Sequence, residues 1–276
     1  MQNLPQEATS TPGKDYLWLH IRELPYFRSL MRAVEASFYS EIELPNPVLD
    51  VGCGDGHFVT VAFENAVDVG IDPWERPLLE ASNRSGYRLL IRSDGARSPF
   101  KDDSFGSAFS NSVLEHIPNV ENVLQEIGRI LKPGAPFVFC TPNQRFLEQL
   151  EIAQFFDRIH LYSIAGFYRS FFNRISRHYH CDSVEIWQER LDKAGFVLVR
   201  WWHYFPPDAL HAMEWGHYFG LPSLIVKKLT CKWILVPKRW NLALIHKYAS
   251  RHYYPFEVSD GVCTFYIARR KEASKL

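Results

Sequence analysis

Three glycines at alternate positions close a short apolar run in Val48-Leu49-Asp50-Val51-Gly52-Cys53-Gly54-Asp55-Gly56, and no other feature limits the fold so tightly. The run Val48 to Val51 predicts a buried strand. The glycines predict a tight bend whose main chain can approach a ligand closely. The pattern from His57 to Ala66 is helical and would present free N–H groups at that same bend. Strand, glycine bend and helix in this order form the opening unit of a doubly wound sheet.

The segments that follow keep the alternation. Val67 to Asp72 reads as a second strand, Glu75 to Ser85 as a helix, Arg88 to Arg92 as a third strand and Ser107 to Ser110 as a fourth. Val120, Val123, Leu124, Ile127, Ile130 and Leu131 follow the spacing of an amphipathic helix, which Lys132-Pro133-Gly134 stops. Pro136 to Cys140 reads as a fifth strand. Such a chain predicts an α/β fold, a mostly parallel sheet covered by helices on both faces. Ahead of it, Tyr16 to Ile42 reads as helix broken at Pro25. Behind it come an aromatic, basic stretch, a helix at Asp182 to Ala194 and strands at Phe196 to Tyr204 and Val262 to Arg269. The divisions expected are a tail with cap helices (1–45), a core (46–205), an insertion (206–259) and a closing strand with its tail (260–276). Pro206 to Ser259 is too long for a plain connection and should have a structure or function of its own.

The glycine spacing bears on the ligand. Gly52, Gly54 and Gly56 give G-x-G-x-G, whereas the dinucleotide fingerprint is G-x-G-x-x-G; position 57 is His57, and no GxxxxGK[ST] phosphate loop is present. Asp72 closes the second strand, where a carboxylate can accept from both ribose hydroxyls. Asp94 follows the third strand, where a carboxylate can accept from an exocyclic amine. Each could instead cap a turn. Acids in register at successive strand ends, beside such a bend, point together to a nucleoside-type cofactor.

The strings PVLDVGCGDGHF, VGIDPW, SDGARSPFKDDSFGSAFSNSVLEHIPN and LKPGAPFVFCTPN resemble the class I S-adenosylmethionine-dependent methyltransferase family, in particular its UbiE/COQ-like small-molecule branch. The likeness is close over about 46–145 and loose over 182–205 and 261–270. It implies a seven-stranded Rossmann-like sheet of order 3-2-1-4-5-7-6 with the last strand antiparallel, an N-terminal helical cap, and a helical insertion before that strand. It also implies S-adenosyl-L-methionine as cofactor. Asp50, Gly52 and Gly54, with Cys53 between the glycines, would hold the methionine end, and Asp72 the ribose. Pro73 and Trp74 would flank the adenine, Asp94, Gly95 and Ala96 would read its edge, and Asn111 would lie beneath the cofactor. Gly106 departs from the family, which commonly has Asp there, and a structural reason is expected. His116 is the leading candidate for a general base, because histidine titrates nearest neutral pH; it could equally pack the short helix. His57, His160 and Tyr162 are weaker candidates.

Lysines and arginines balance aspartates and glutamates at 31 each, but not evenly. Trp215 to Phe256 contains seven cations, Lys227, Lys228, Lys232, Lys238, Arg239, Lys247 and Arg251, and no carboxylate. Arg158 to Cys181 adds four arginines, again without an acid. Leu221 to Val236 reads as an interfacial helix, with lysines on one face and Leu and Trp on another. The partners expected are a small-molecule or lipid-like acceptor and an anionic membrane surface met through 215–256; a lid, a dimer surface or an ordinary subdomain are the competing readings. Nucleic acid is not expected, since no NPPY-like signature follows the fourth strand. Nor is a metal: His178-Tyr179-His180-Cys181 lacks a second ligand cluster. Five scattered cysteines without a CxxC pair, no secretory signal and no apolar run near the roughly 18 residues of a membrane span lead to a cytoplasmic expectation, peripheral at most. An NAD-dependent oxidoreductase and a non-catalytic cofactor-binding regulator are the rival functions. The acceptor and the oligomeric state are not legible.

Overall fold

A computed structural model describes residues 14–272. Its sheet contains β1 (Val48–Val51), β2 (Val67–Asp72), β3 (Tyr87–Arg92), β4 (Ser107–Asn111), β5 (Pro136–Pro142), β6 (Phe196–Tyr204) and β7 (Cys263–Arg270). The strand order is 3-2-1-4-5-7-6, as the resemblance implies. β7 alone runs antiparallel, to β5 on one side and β6 on the other. The chain reverses its direction of travel across the sheet between β1 and β4, which opens a crevice beyond their carboxyl ends.

The alternation of side chains along the central strands divides the core in two. Leu49, Val51, Phe137 and Phe139 face one layer, built from α5 (Val120–Ile130) and α9 (Val184–Lys193). The amphipathic stripe foreseen on α5 is that contact: Val123, Leu124, Ile127 and Ile130 are almost wholly buried. Val48, Phe109, Val138 and Cys140 face the other layer, which holds α1 (Tyr16–Ile21), α2 (Tyr26–Tyr39) and α3 (His57–Ala62). Helix α4 (Glu75–Ser82) covers the sheet at β3. The missing side chain at Gly106 has the structural reason expected, because a methyl group there would lie 2.4 Å from the Asn46 carbonyl.

Two segments depart from the sequence reading. The aromatic, basic stretch after Asn143 folds as three helices, α6 (Arg145–Glu148), α7 (Glu151–Arg158) and α8 (Tyr162–Ser176). The expected single helix over Leu221 to Val236 is shorter: α11 (Leu221–Thr230) ends where Cys231 turns left-handed at φ 60°. The chain then loops back before α12 (Arg239–Ser250). Ahead of α11, α10 (Pro207–Phe219) packs on α2 and buries Ala209, Leu210, Ala212 and Met213 in the core.

Candidate active site

The glycine bend is held open by contacts to the end of β2. Gly52 N and Cys53 N both donate to the Ile71 carbonyl (2.9 and 3.0 Å), and Gly54 N donates to Asp72 Oδ2 (3.0 Å). Gly52 has φ +84°, and a methyl group there would meet Val113 Cγ1 at 2.4 Å, so conformation and space both demand glycine. At Gly54 a methyl group would meet nothing within 4 Å, because that side faces an open cleft. The cleft encloses about 1600 Å³ and brings together Gly52, Cys53, Gly54, Asp72, Pro73, Trp74, Asp94, Gly95, Asn111 and His116. Asp50 and Ala96 lie behind its wall. Ala96 N donates to Asp94 Oδ1 (3.0 Å), which shapes the turn that carries Asp94.

Asp50 is buried beneath the bend, where Tyr87 donates its hydroxyl to Oδ2 (2.6 Å). Burial pushes its carboxyl up to about 7, against the Tyr87 hydrogen bond and with help from the Asp72 charge. Such a group ionises readily once a cation comes near. Asp72 is also raised by burial, opposed by N–H donation from Trp74 and Gly54. Each Asp72 oxygen accepts one of these bonds, Oδ1 from Trp74 (2.9 Å) and Oδ2 from Gly54, so each keeps a second lone pair for a ribose hydroxyl. Trp74 leaves 70% of its surface exposed at the cleft rim, a free aromatic face beside these acceptors. Open space at Gly54, spare acceptors at Asp72 and a poised carboxyl at Asp50 fit an adenosyl cofactor carrying an ammonium group.

Beyond β4 comes the 3-10 turn Leu114–His116, which holds two titratable side chains at its end. His116 Nδ1 donates to the Arg177 carbonyl (3.1 Å), which leaves Nε2 as the ring's acceptor. Burial in the cleft wall lowers its pKa, opposed by the Arg177 carbonyl and reinforced by the charges of Arg32 and Arg177. Glu115 Oε1 stands 3.8 Å from Nε2, its Oε2 is buried without a partner among the described residues, and burial pushes the carboxyl up to about 8. Among the described residues, Glu115, His116 and His178 bring ligand-type atoms within 4.8 Å of one another. Arg32 and Arg177 beside them oppose a further cation. In the run 178–181, Cys181 Sγ lies 3.7 Å from His178 Nδ1, a contact within the run itself. His160 and Tyr162 bond each other (2.7 Å) away from the cleft.

Three groups escaped the sequence reading. Glu35 on α2 is fully buried and accepts from Asn111 Nδ2 (2.7 Å), Ser112 Oγ (2.9 Å) and Tyr204 OH (2.7 Å). It fixes Asn111 at the cleft floor; its signal was one acid within the apolar face of α2. Glu35→Ala should cost about 3 kcal/mol, because one buried donor and two partly buried ones lose their acceptor. Urea unfolding would check this, and a change under about 0.5 kcal/mol would contradict it. Tyr87, which supports Asp50, falls one residue before the third strand read from the sequence. The third group joins α1 to the bend: His57 Nε2 lies 3.0 Å from His20 Nδ1, and His57 Nδ1 lies 3.1 Å from Glu23 Oε2. Arg84 donates to the same Glu23 oxygen (3.0 Å).

Comparison with known proteins agrees with this geometry. Residues 49–139 match the family described as a methyltransferase domain. A ubiquinone biosynthesis O-methyltransferase of Hahella chejuensis is 35% identical over 105 residues, covering 35% of this chain and 43% of that protein. A sterol 4-C-methyltransferase of Caenorhabditis elegans is 28% identical over 123 residues, 39% of this chain and 35% of that protein. The chain thus spans about two fifths of the length of the curated relatives it matches. Among solved structures, a SAM-dependent methyltransferase from Thermotoga maritima superposes with a TM-score of 0.52 at 16% identity, covering 90% of this chain and 91% of that one. Residues 49–139 thus match a methyltransferase domain, and the chain shares its fold with solved SAM-dependent methyltransferases.

Proposed function

We propose that the protein transfers a methyl group from S-adenosylmethionine to a small-molecule or lipid-like acceptor. The observation that carries this reading is the pairing of a side-chain-free bend at Gly52 and Gly54 with Asp72, which is bonded to that bend and still has acceptor capacity. When bound, S-adenosylmethionine supplies an electrophilic methyl group on a sulfonium. Asp72 takes the ribose hydroxyls, Trp74 and Pro73 flank the base, Asp94 and Gly95 read its edge, and Asp50 meets the ammonium from beneath. His116, neutral and with Nε2 free, takes the proton from an acceptor hydroxyl. Incubation with labelled methyl donor and a cell extract tests the reading. Label should enter a product. Cofactor binding without labelled product would favour a non-catalytic regulator.

The membrane-surface part of the reading rests on α11 and α12. Among the described residues no helix is long and apolar enough to cross a membrane. Yet α11 buries none of its side chains, and Phe219, Leu229, Trp240 and Leu244 are each more than 70% exposed. Lys228, Lys232 and Lys238 lie along the same segment with no acid between them. Each cation near an anionic surface contributes about 1 kcal/mol. The chain should therefore sediment with phosphatidylserine vesicles at low salt and be released at high salt. Equal sedimentation with neutral vesicles, or none with either, would overturn this part.

A further inference from the structure

The cleft lining carries more cations than acids. Asp55, Asp72, Glu80 and Asp94 line it together with Arg28, Arg32, Arg76, Arg174, Arg177 and Lys227, and Asp55 attracts both Arg28 and Arg32. Several arginines outside this group have carboxylate partners: Arg84 on Glu23, Arg129 on Glu126, Arg190 on Asp182. Arg76 pairs with Glu80 (3.6 Å), but among the described residues none of the other five cleft cations has a carboxylate oxygen within 4.0 Å. Trp233 gathers two of them, with Lys227 Nζ at 4.8 Å and the Arg28 guanidinium at 5.2 Å from its ring. Arg28 is held desolvated beside Arg32, and together they push its pKa down to about 10 against the partial pull of the Asp55 charge. Crowded, partly buried like charges cost stability unless a ligand neutralises them.

S-adenosylmethionine does not supply that neutralisation, because its sulfonium and ammonium outweigh its one carboxylate. Arg32 lies near Asp55 and the bend, where it can meet that carboxylate. Arg28, Arg174, Arg177 and Lys227 are left over, more positive charge than a single carboxylate calls for. We infer that this group of cations binds a phosphate or diphosphate group on the methyl acceptor. The inference rests on the methyltransferase reading for the word acceptor, but not for the anion site itself.

The test is calorimetric titration of the full chain with inorganic pyrophosphate at constant ionic strength, with acetate as control, in the presence and absence of S-adenosylhomocysteine. The comparison is the variant Arg174→Gln/Arg177→Gln/Lys227→Gln, whose changed side chains lie outside the hydrophobic core. Pyrophosphate should bind the parent chain and bind the variant at least about tenfold more weakly, since charge-assisted bonds are lost. S-adenosylhomocysteine affinity should differ by less than about twofold. Equal pyrophosphate affinity in both chains, or binding no tighter than acetate, overturns the inference. Failure of S-adenosylhomocysteine to bind the parent chain would instead remove the methyltransferase reading, and the pyrophosphate titration would still decide the anion site. Release of the parent chain from phosphatidate vesicles by pyrophosphate would assign the group to a lipid headgroup; pyrophosphate binding without vesicle binding would assign it to a soluble ester.

Discussion

Asp72→Ala is expected to weaken binding of S-adenosylhomocysteine by about 100-fold or more while the chain stays folded. The carboxylate serves two purposes. Its oxygens hold Gly54 N and Trp74 N, which set the shape of the bend and the start of α4, and their remaining lone pairs face the cleft. A ribose diol donating two bonds to a carboxylate gains about 1.5–3 kcal/mol for each. The fold should tolerate the loss, because burial already disfavours the ionised form and the two freed N–H groups can reach water in the cleft. Asp72→Asn, which preserves the shape but not the charge, should fall between the two. Calorimetry gives the affinities and thermal unfolding the control; unaltered affinity in a folded Asp72→Ala chain would exclude Asp72 from the cofactor site.

The second large effect is on rate. His116→Ala should lower kcat by about 10²–10⁴-fold if the acceptor atom is a hydroxyl oxygen, the range for loss of a positioned base. The side chain lies at the cleft surface, so cofactor affinity should be retained. The sign of the pH dependence follows from the lowered pKa. The folded imidazole stays neutral to a lower pH than free histidine, and the neutral form is the active base. At saturating S-adenosylmethionine, kcat should therefore hold through neutral pH and fall as pH drops through a value below 6.5. Added imidazole should restore part of the rate in the variant. A kcat within about twofold of the parent, with no change in the acid limb, would mean that His116 only packs the turn.

The legible parts of this chain are those where one local pattern decides the outcome. Val48 to Val51 is buried on both faces, so every residue of the strand but Asp50 is apolar; α5 covers the sheet with a single stripe, so its period is plain. The glycine bend was legible because positive φ and close approach leave few alternatives to glycine. Helix α8 was not. It leaves Ile164, Phe167, Phe171 and Ile175 exposed while burying Ala165 and Phe172, which blurs the amphipathic signal. The break after Thr230 was hidden too, since LTCKW contains neither glycine nor proline, and Cys231 takes the left-handed turn. At the site, Asp72 and Asp94 announced themselves by standing at strand ends. Glu35, Tyr87 and Arg28 did not, because what they do depends on neighbours far away in sequence: Tyr204 lies 169 residues from Glu35, and Trp233 closes on Arg28 only through the folded insertion.

The cofactor claim is tested most directly by titrating the chain with S-adenosylhomocysteine and, separately, with NAD, at about pH 8 and about pH 6. With the Asp50 carboxyl at about 7 before binding, the ammonium must first find it ionised. Affinity for S-adenosylhomocysteine should therefore be about tenfold weaker at the lower pH, with protons released on binding, and NAD should give no heat of binding. Binding of NAD in place of S-adenosylhomocysteine, or of neither, would contradict the account.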